Sequence, residues 1–400
     1  MSAGGLSRAR LGRLHDVLAG YVERGEVPGL VALVSRHGET HVEALGALTP
    51  GGAPMRRDTI FRIASLSKPI AAVAALILVE ECKLRLDDPV DRLLPELADR
   101  RVLKRLDGPL DDTVPARRAI TLRDLLTLRL GLGHIMAPVS AYPIRQALDA
   151  LQLLLGPPQP QAPPAPDEWL RRVGTLPLMH QPGERWLYDL GLDVLGVLLA
   201  RAAGQPLEIF LRERIYAPLG MRDTGFSVPA ARLDRLPGCY RGNPATGALD
   251  VYDDAGDSQW SRPPAFPSAA GGLVSTADDY LAFYQMLLNK GRYGQGRILS
   301  RPAVELMTTD QLTPAQKAGA ELFLGDNSGW GFGVAVTTRR DDLAATPGRF
   351  GWTGGLGTSA YADPTEGLIG ILMTQRLMDG PEPPRVFRDF WTSAYQAIDD

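Results

Sequence analysis

The sequence predicts an α+β fold: an antiparallel sheet flanked by helices, with a helical lobe beside it and the site between the two. Three observations predict it. Strand-like segments stand near both ends of the chain, at 29–45 and 332–374. The segments between them read mainly as helices, so the two ends join one sheet and the middle packs beside it. Residues 70–79 (Ile-Ala-Ala-Val-Ala-Ala-Leu-Ile-Leu-Val) are apolar on every side, as in a buried helix, and too few to span a bilayer. Residues 1–62 and 270–400 are expected to form the lobe with the sheet. Residues 63–269 are expected to form the mainly helical lobe.

The elements follow in order. Residues 7–25 read as an amphipathic helix, with Leu11, Leu14, Val17, Leu18 and Tyr21 on one side. Gly29 to Ser35 and Thr40 to Leu45 are strands joined by the turn His37-Gly38-Glu39. Pro69 fits only the first turn of a helix, so the apolar helix starts close to Ser65. Thr121 caps a short helix, and residues 189–203 carry another that stops at Gly204. Ala277 to Asn289 is helical by the spacing of Tyr280, Leu281, Tyr284 and Leu287. Phe332 to Thr337, Thr358 to Ala362 and Leu368 to Thr374 are strands, and residues 384–398 are a closing helix. The proline-rich stretch 156–166 reads as an extended, solvent-facing loop, a spacer before it is a lid.

Composition narrows the function. With 400 residues, 44% of them hydrophobic, the chain builds one large domain or two lobes sharing a cleft. A net charge of −3 gives no electrostatic case for nucleic acid or an anionic membrane as partner. Cys82 and Cys239 make no disulfide framework, and the first residues open no continuous apolar segment. A cytoplasmic protein is the expectation. His37, Glu39 and His41 straddle a turn instead of sharing a helix face, so no metal is expected, and no dinucleotide or phosphate loop suggests another cofactor. The nucleophile elbow Gly-x-Ser-x-Gly is absent. Oligomeric state is left open.

The chemistry concentrates in Ser65-Leu66-Ser67-Lys68. Residues three apart share a helix face, which brings the Lys68 amine to the Ser65 hydroxyl. A serine needs a base to become a nucleophile, and a lysine serves once burial has lowered its pKa. The helix N-terminus adds N–H groups where an oxyanion would form. Taken alone, the motif fits a capping serine on a buried helix equally well. Such a pair also needs a second proton carrier and oxyanion donors. Tyr188, after the turn Pro182-Gly183 and before a helix, suits the first, although a packing tyrosine would look the same. The segment Trp352-Thr353-Gly354-Gly355 suits the second, because glycines let a strand backbone approach a substrate.

In this order the three segments resemble the serine β-lactamase and penicillin-binding-protein superfamily, where Ser-x-x-Lys precedes a Tyr motif and Lys-Thr-Gly. The β-lactamase-fold carboxylesterases called family VIII are the nearest match. The resemblance runs through Val27-Pro28-Gly29, 121–126, 181–196, 218–226, 271–279, Trp330-Gly331-Phe332-Gly333 and 363–375. It implies Ser65 as acyl-forming nucleophile, Lys68 as base partner, Tyr188 as second proton carrier, and the N–H groups of Ser65 and Gly355 as the oxyanion hole. Trp352 takes the lysine position of Lys-Thr-Gly, beside Thr353 and Gly354. Leu190 takes the place of an asparagine that holds an amide carbonyl. Both replacements are expected to add apolar wall and to favour a small neutral ester over a lactam or peptide. Asp189, if it faces the site, would keep Lys68 charged. The family's His-Thr-Ser-Gly is here Leu128-Arg129-Leu130-Gly131. The resemblance therefore implies a serine carboxylesterase, hydrolysing or transacylating. A β-lactamase or D-amino-acid peptidase, and a non-catalytic binding protein, are the alternatives.

Overall fold

A computed structural model describes residues 4–136, 138–153 and 156–400. Among them, strands β1 (Gly29–Arg36), β2 (Glu39–Gly46), β3 (Ser328–Trp330), β4 (Ala335–Thr337), β5 (Phe350–Gly354), β6 (Thr358–Asp363) and β7 (Leu368–Thr374) make one antiparallel sheet. Its order is β3-β4-β5-β6-β7-β1-β2, so the two chain ends meet where β1 pairs with β7, Ala32 opposite Leu372. Both faces of β1 are covered, which explains its unbroken apolar sequence. Leu30, Ala32 and Val34 face helices α1 (Arg8–Glu23) and the closing helix Arg385–Gln396, together with Leu368 and Leu372. Val31 and Leu33 face the larger core, with Ile369, Ile371 and Met373.

That larger core holds the helical part of the chain. Helix α2 (Ser67–Glu80) is buried from Ser67 to Leu78, as the apolar run that follows Lys68 requires. Thr121 caps α3 (Leu122–Leu126) in a reciprocal box with Asp124. Helix α4 (Leu190–Ala203) ends at Gly204, whose φ of 69° is the left-handed value glycine favours. Helix α5 (Ala277–Leu288) is capped by Thr276. No single helix among the described residues is long and apolar enough to cross a membrane.

The structure corrects several expectations. Val17 is 36% exposed, outside the buried stripe of α1. Of the strand expected at 332–337 only Ala335–Thr337 forms, and a short strand before it, Ser328–Trp330, was not expected. Between the two the backbone passes so close to α2 that a Cβ on Gly333 (φ +68°) would sit 2.7 Å from the Lys68 carbonyl oxygen. The proline-rich stretch is solvent-facing only in part: Gly156, Pro157 and Gln159 are exposed, but the stretch is no mere spacer. Pro160 is buried, and residues 156–160 line a cavity.

Candidate active site

Ser65 lies in a tight turn, Ala64–Leu66, immediately before α2. Ala64 has φ +45°, a left-handed conformation that an alanine adopts only under constraint. The constraints are visible. Ser67 Oγ donates to Ala64 O at 2.7 Å, and Leu273 N donates to Ser67 Oγ at 3.1 Å. The Tyr280 hydroxyl donates to Leu66 O at 2.7 Å. Thr358 Oγ1 donates to Ile63 O at 3.1 Å, and a Cβ on Gly354 would sit 2.3 Å from that same oxygen. The end of β5 is thus pressed against the serine turn, which needs glycine at that position.

Lys68 is fully buried. Its Nζ donates to Ser65 Oγ at 3.1 Å, Asp189 Oδ1 at 2.8 Å and Ala270 O at 2.7 Å, so all three N–H bonds of an ammonium are used. Burial alone would lower the lysine pKa. The Asp189 carboxylate and the Tyr188 oxygen outweigh it, and the net shift is upward. The expectation of a lysine neutralised by burial therefore fails for the resting site: Lys68 stands there as a cation paired with Asp189.

Asp189 reaches Lys68 at a conformational cost. It precedes α4 with φ 83° and ψ −75°, values of the rare, strained γ-turn, and its side chain does not cap the helix. Such a residue costs about 1–3 kcal/mol and persists where its surroundings over-determine it. One turn further on, Asp193 is half-buried at the cavity wall. Its Oδ1 accepts from Ser268 Oγ at 2.7 Å and from Ala270 N at 3.0 Å. Asp193 thereby fixes the residue whose carbonyl receives Lys68. Burial, reinforced by the Asp189 charge, pushes the Asp193 carboxyl up to about 7, against the hydrogen bonds from Ser268 and Ala270. Sequence reasoning missed Asp193. The signal was there: one carboxylate four positions after Asp189 in an otherwise apolar helix.

Tyr188 is half-buried in an aromatic cluster. Its ring stacks on Phe323 at 4.8 Å and on Trp186 at 5.6 Å, and Lys68 Nζ lies 4.4 Å from its centroid. Trp352 Nε1 donates to the Tyr188 hydroxyl at 2.7 Å, while its ring meets Trp330 edge-on at 4.8 Å. The segment after α3 frames this tyrosine through its backbone. Leu187 N donates to Leu128 O at 2.8 Å, and His134 N to Tyr188 O at 2.9 Å. That is what Leu128 to Gly131 does here. His134 stands beside the tyrosine, and burial lowers its pKa, which keeps the ring neutral.

A cavity of about 310 Å³ opens above Ser65. Tyr188, Asp189, Asp193, Gly355, Trp169 and Phe266 are among the residues that line it. Trp352, Thr353, Gly354 and Leu190 do not line it: Trp352 sits behind Tyr188, and Leu190 is 1% exposed in the core. Among the described residues no lysine or arginine lines it. The N–H groups of Ser65 and Gly355 have no acceptor within the described residues, while the Gly355 carbonyl accepts from Met378 N at 2.9 Å.

The chain matches known proteins along nearly its whole length. It is 42% identical over 339 residues to Protein Rv1367c of Mycobacterium tuberculosis, covering 82% of this chain and 80% of that one. It is 34% identical over 397 residues to Esterase EstB of Burkholderia gladioli, covering 93% and 92%. The structure of EstCE1, described as a hydrolase with promiscuous acyltransferase activity, superposes with a TM-score of 0.79 at 26% identity, over 97% of this chain and 99% of that one. The profile of the beta-lactamase family matches residues 14–388. With its sheet, its helices and its Ser-x-x-Lys turn in that arrangement, this chain belongs to the beta-lactamase family.

Proposed function

We propose that this protein is a serine carboxylesterase that hydrolyses small, neutral, hydrophobic esters through an acyl-enzyme on Ser65. One observation carries the reading: Ser65 Oγ lies 3.1 Å from Lys68 Nζ beneath a largely apolar cavity. Ser65 Oγ attacks the ester carbonyl, and the N–H groups of Ser65 and Gly355 hold the oxyanion. Lys68 rests charged, so it must release a proton before it can take one from Ser65. Asp189 is the carboxylate placed to hold that proton. An apolar ester in the cavity strips water from Asp189, whose side chain is 33% exposed, and makes the ion pair more costly. Tyr188, next to Lys68 and held by Trp352, returns a proton to the leaving alkoxide. Water then releases the acyl group, or an alcohol takes it, as the acyltransferase activity in the description of EstCE1 suggests.

Neutral substrates follow from the lining. A lactam or peptide carboxylate would meet Asp189 and Asp193 and no lining cation. The test is hydrolysis of p-nitrophenyl butyrate together with intact-mass detection of a phosphonate adduct. The native protein is expected to turn over the ester and gain one adduct, and Ser65→Ala to do neither. Undiminished turnover by Ser65→Ala would overturn the assignment. Rapid nitrocefin hydrolysis without ester turnover would favour a lactamase instead.

A further inference from the structure

The proline-rich stretch reaches the nucleophile. Gly156 to Pro160 and Pro163 line the cavity over Ser65. A Cβ on Gly271 would touch Pro158 Cγ at 3.4 Å and the carbonyl carbon of Ala64, the residue before Ser65, at 3.9 Å. Pro158 therefore faces the serine turn across Gly271, with the width of a methyl group between them.

The stretch is also tied down. The Tyr252 hydroxyl lies 3.1 Å from Pro157 O and 2.9 Å from Pro158 O, sharing its proton between them. Gln161 Nε2 donates to Gln259 O at 2.9 Å and to Arg262 O at 3.2 Å, and its Oε1 accepts from Arg262 Nε at 3.3 Å. Prolines have a fixed φ and no N–H, so a run of them is stiff and leaves its carbonyls to donors elsewhere in the chain. Tyr252 and Gln161 couple the run to residues 252–262. Trp169 and Phe266, their ring centroids 4.7 Å apart, line the same cavity.

We infer that residues 156–163 are the specificity wall of the acyl pocket: a rigid ceiling, clamped by Tyr252 and Gln161, that sets the longest acyl chain the cavity over Ser65 accepts. This rests on the reading of Ser65 as the acyl-forming nucleophile. A cavity of about 310 Å³ is at the small end of ligand sites, and a ceiling that cannot yield keeps it so. The ceiling acts on chain length and not on the chemistry, because it supplies no polar group to the Ser65, Lys68 and Tyr188 cluster.

The test compares p-nitrophenyl butyrate with p-nitrophenyl octanoate in two variants of the full chain. One is Tyr252→Phe with Gln161→Ala, which releases the clamp and leaves the prolines. The other is Pro157→Gly with Pro158→Gly, which keeps the clamp and softens the wall. In each, kcat/KM for octanoate relative to butyrate is expected to rise about tenfold, mainly through KM, the size of change a pocket wall makes for a few methylenes. Both variants are expected to take a small phosphonate on Ser65. A normal adduct with an unchanged ratio would sink the wall alone. No adduct in the native protein would sink the acyl-enzyme reading and the wall with it.

Discussion

Asp193→Ala is expected to loosen Lys68 without touching it. The change removes the acceptor of two donors, Ser268 Oγ and Ala270 N. Ala270 is 2% exposed, so its N–H finds no water, and leaving it unpaired costs about 1–3 kcal/mol. The half-buried Ser268 hydroxyl costs less. With the void left by the carboxyl, a total of about 3 kcal/mol follows. For 400 residues that is roughly 4 °C of melting temperature, using an unfolding entropy of about 2.1 cal/mol/K per residue. The Ala270 carbonyl also drifts from Lys68 Nζ, so kcat on p-nitrophenyl butyrate should fall about tenfold or more. Asp193→Asn keeps an oxygen in front of both donors and should retain most of the activity.

The same residue makes a pH prediction. The Asp193 carboxyl is pushed up to about 7 in the folded protein, by burial first and then by Asp189. In the unfolded chain it ionises near 4. Between those values the folded state holds the extra proton. The stability linked to this group is fully present below about 4 and is lost as the pH rises through about 7. Asp193→Asn lacks that loss, so its melting temperature relative to the native protein should climb between pH 5 and pH 8. Thermal melts of the native, Asn and Ala forms at both pH values, with kcat and KM beside them, read out both effects. If Ala and Asn variants are equally stable and equally active, the clamp on Ala270 has no role and the reasoning fails.

Two further substitutions probe the proton path. Asp189→Asn removes the charge that holds the Lys68 pKa up against burial, so that pKa falls and the ascending limb of the kcat/KM profile should move to lower pH; an unmoved limb would show that Lys68 does not set it. Trp352→Phe deletes the donor 2.7 Å from the Tyr188 hydroxyl and should lower kcat about tenfold with little change in KM; an unchanged kcat would remove Tyr188 from the proton path or Trp352 from its support.

What the sequence made legible was local. Ser65 and Lys68 are one helical turn apart, and α1, β1, β2 and the closing helix are long, periodic segments whose own pattern decides them. What it hid depends on distant partners. Asp193 is an unremarked acid until Ser268, 75 positions later, arrives to bond it. The Trp352–Tyr188 hydrogen bond joins residues 164 apart. The proline-rich run looked solvent-facing because its composition is that of exposed linkers. The carbonyls of Pro157 and Pro158 are held instead by Tyr252, almost a hundred positions away, which nothing in the run itself could reveal. The strand β3 escaped notice because three residues carry no readable alternation.

Leu190 and Trp352 show how a substitution can be noticed correctly and placed wrongly. Both stand where lactamases carry polar anchors, and both were expected as apolar wall. Neither meets the cavity. Leu190 belongs to the core, and Trp352 spends its one donor on Tyr188. The preference for a neutral substrate that we propose must then come from the residues that do line the space, and these include two carboxyl groups and no lysine or arginine. At an effective dielectric of about 20, two like charges about 5 Å apart repel by roughly 3 kcal/mol, more than a hundredfold in affinity. That is the ceiling on what an anionic substrate would meet at Asp189, because the Lys68 ammonium 2.8 Å from that carboxylate offsets part of it. A neutral ester avoids it, and by displacing water it weakens the Lys68–Asp189 pair that keeps the base protonated. The same carboxylate that excludes charged substrates thus makes the base available when a neutral one binds.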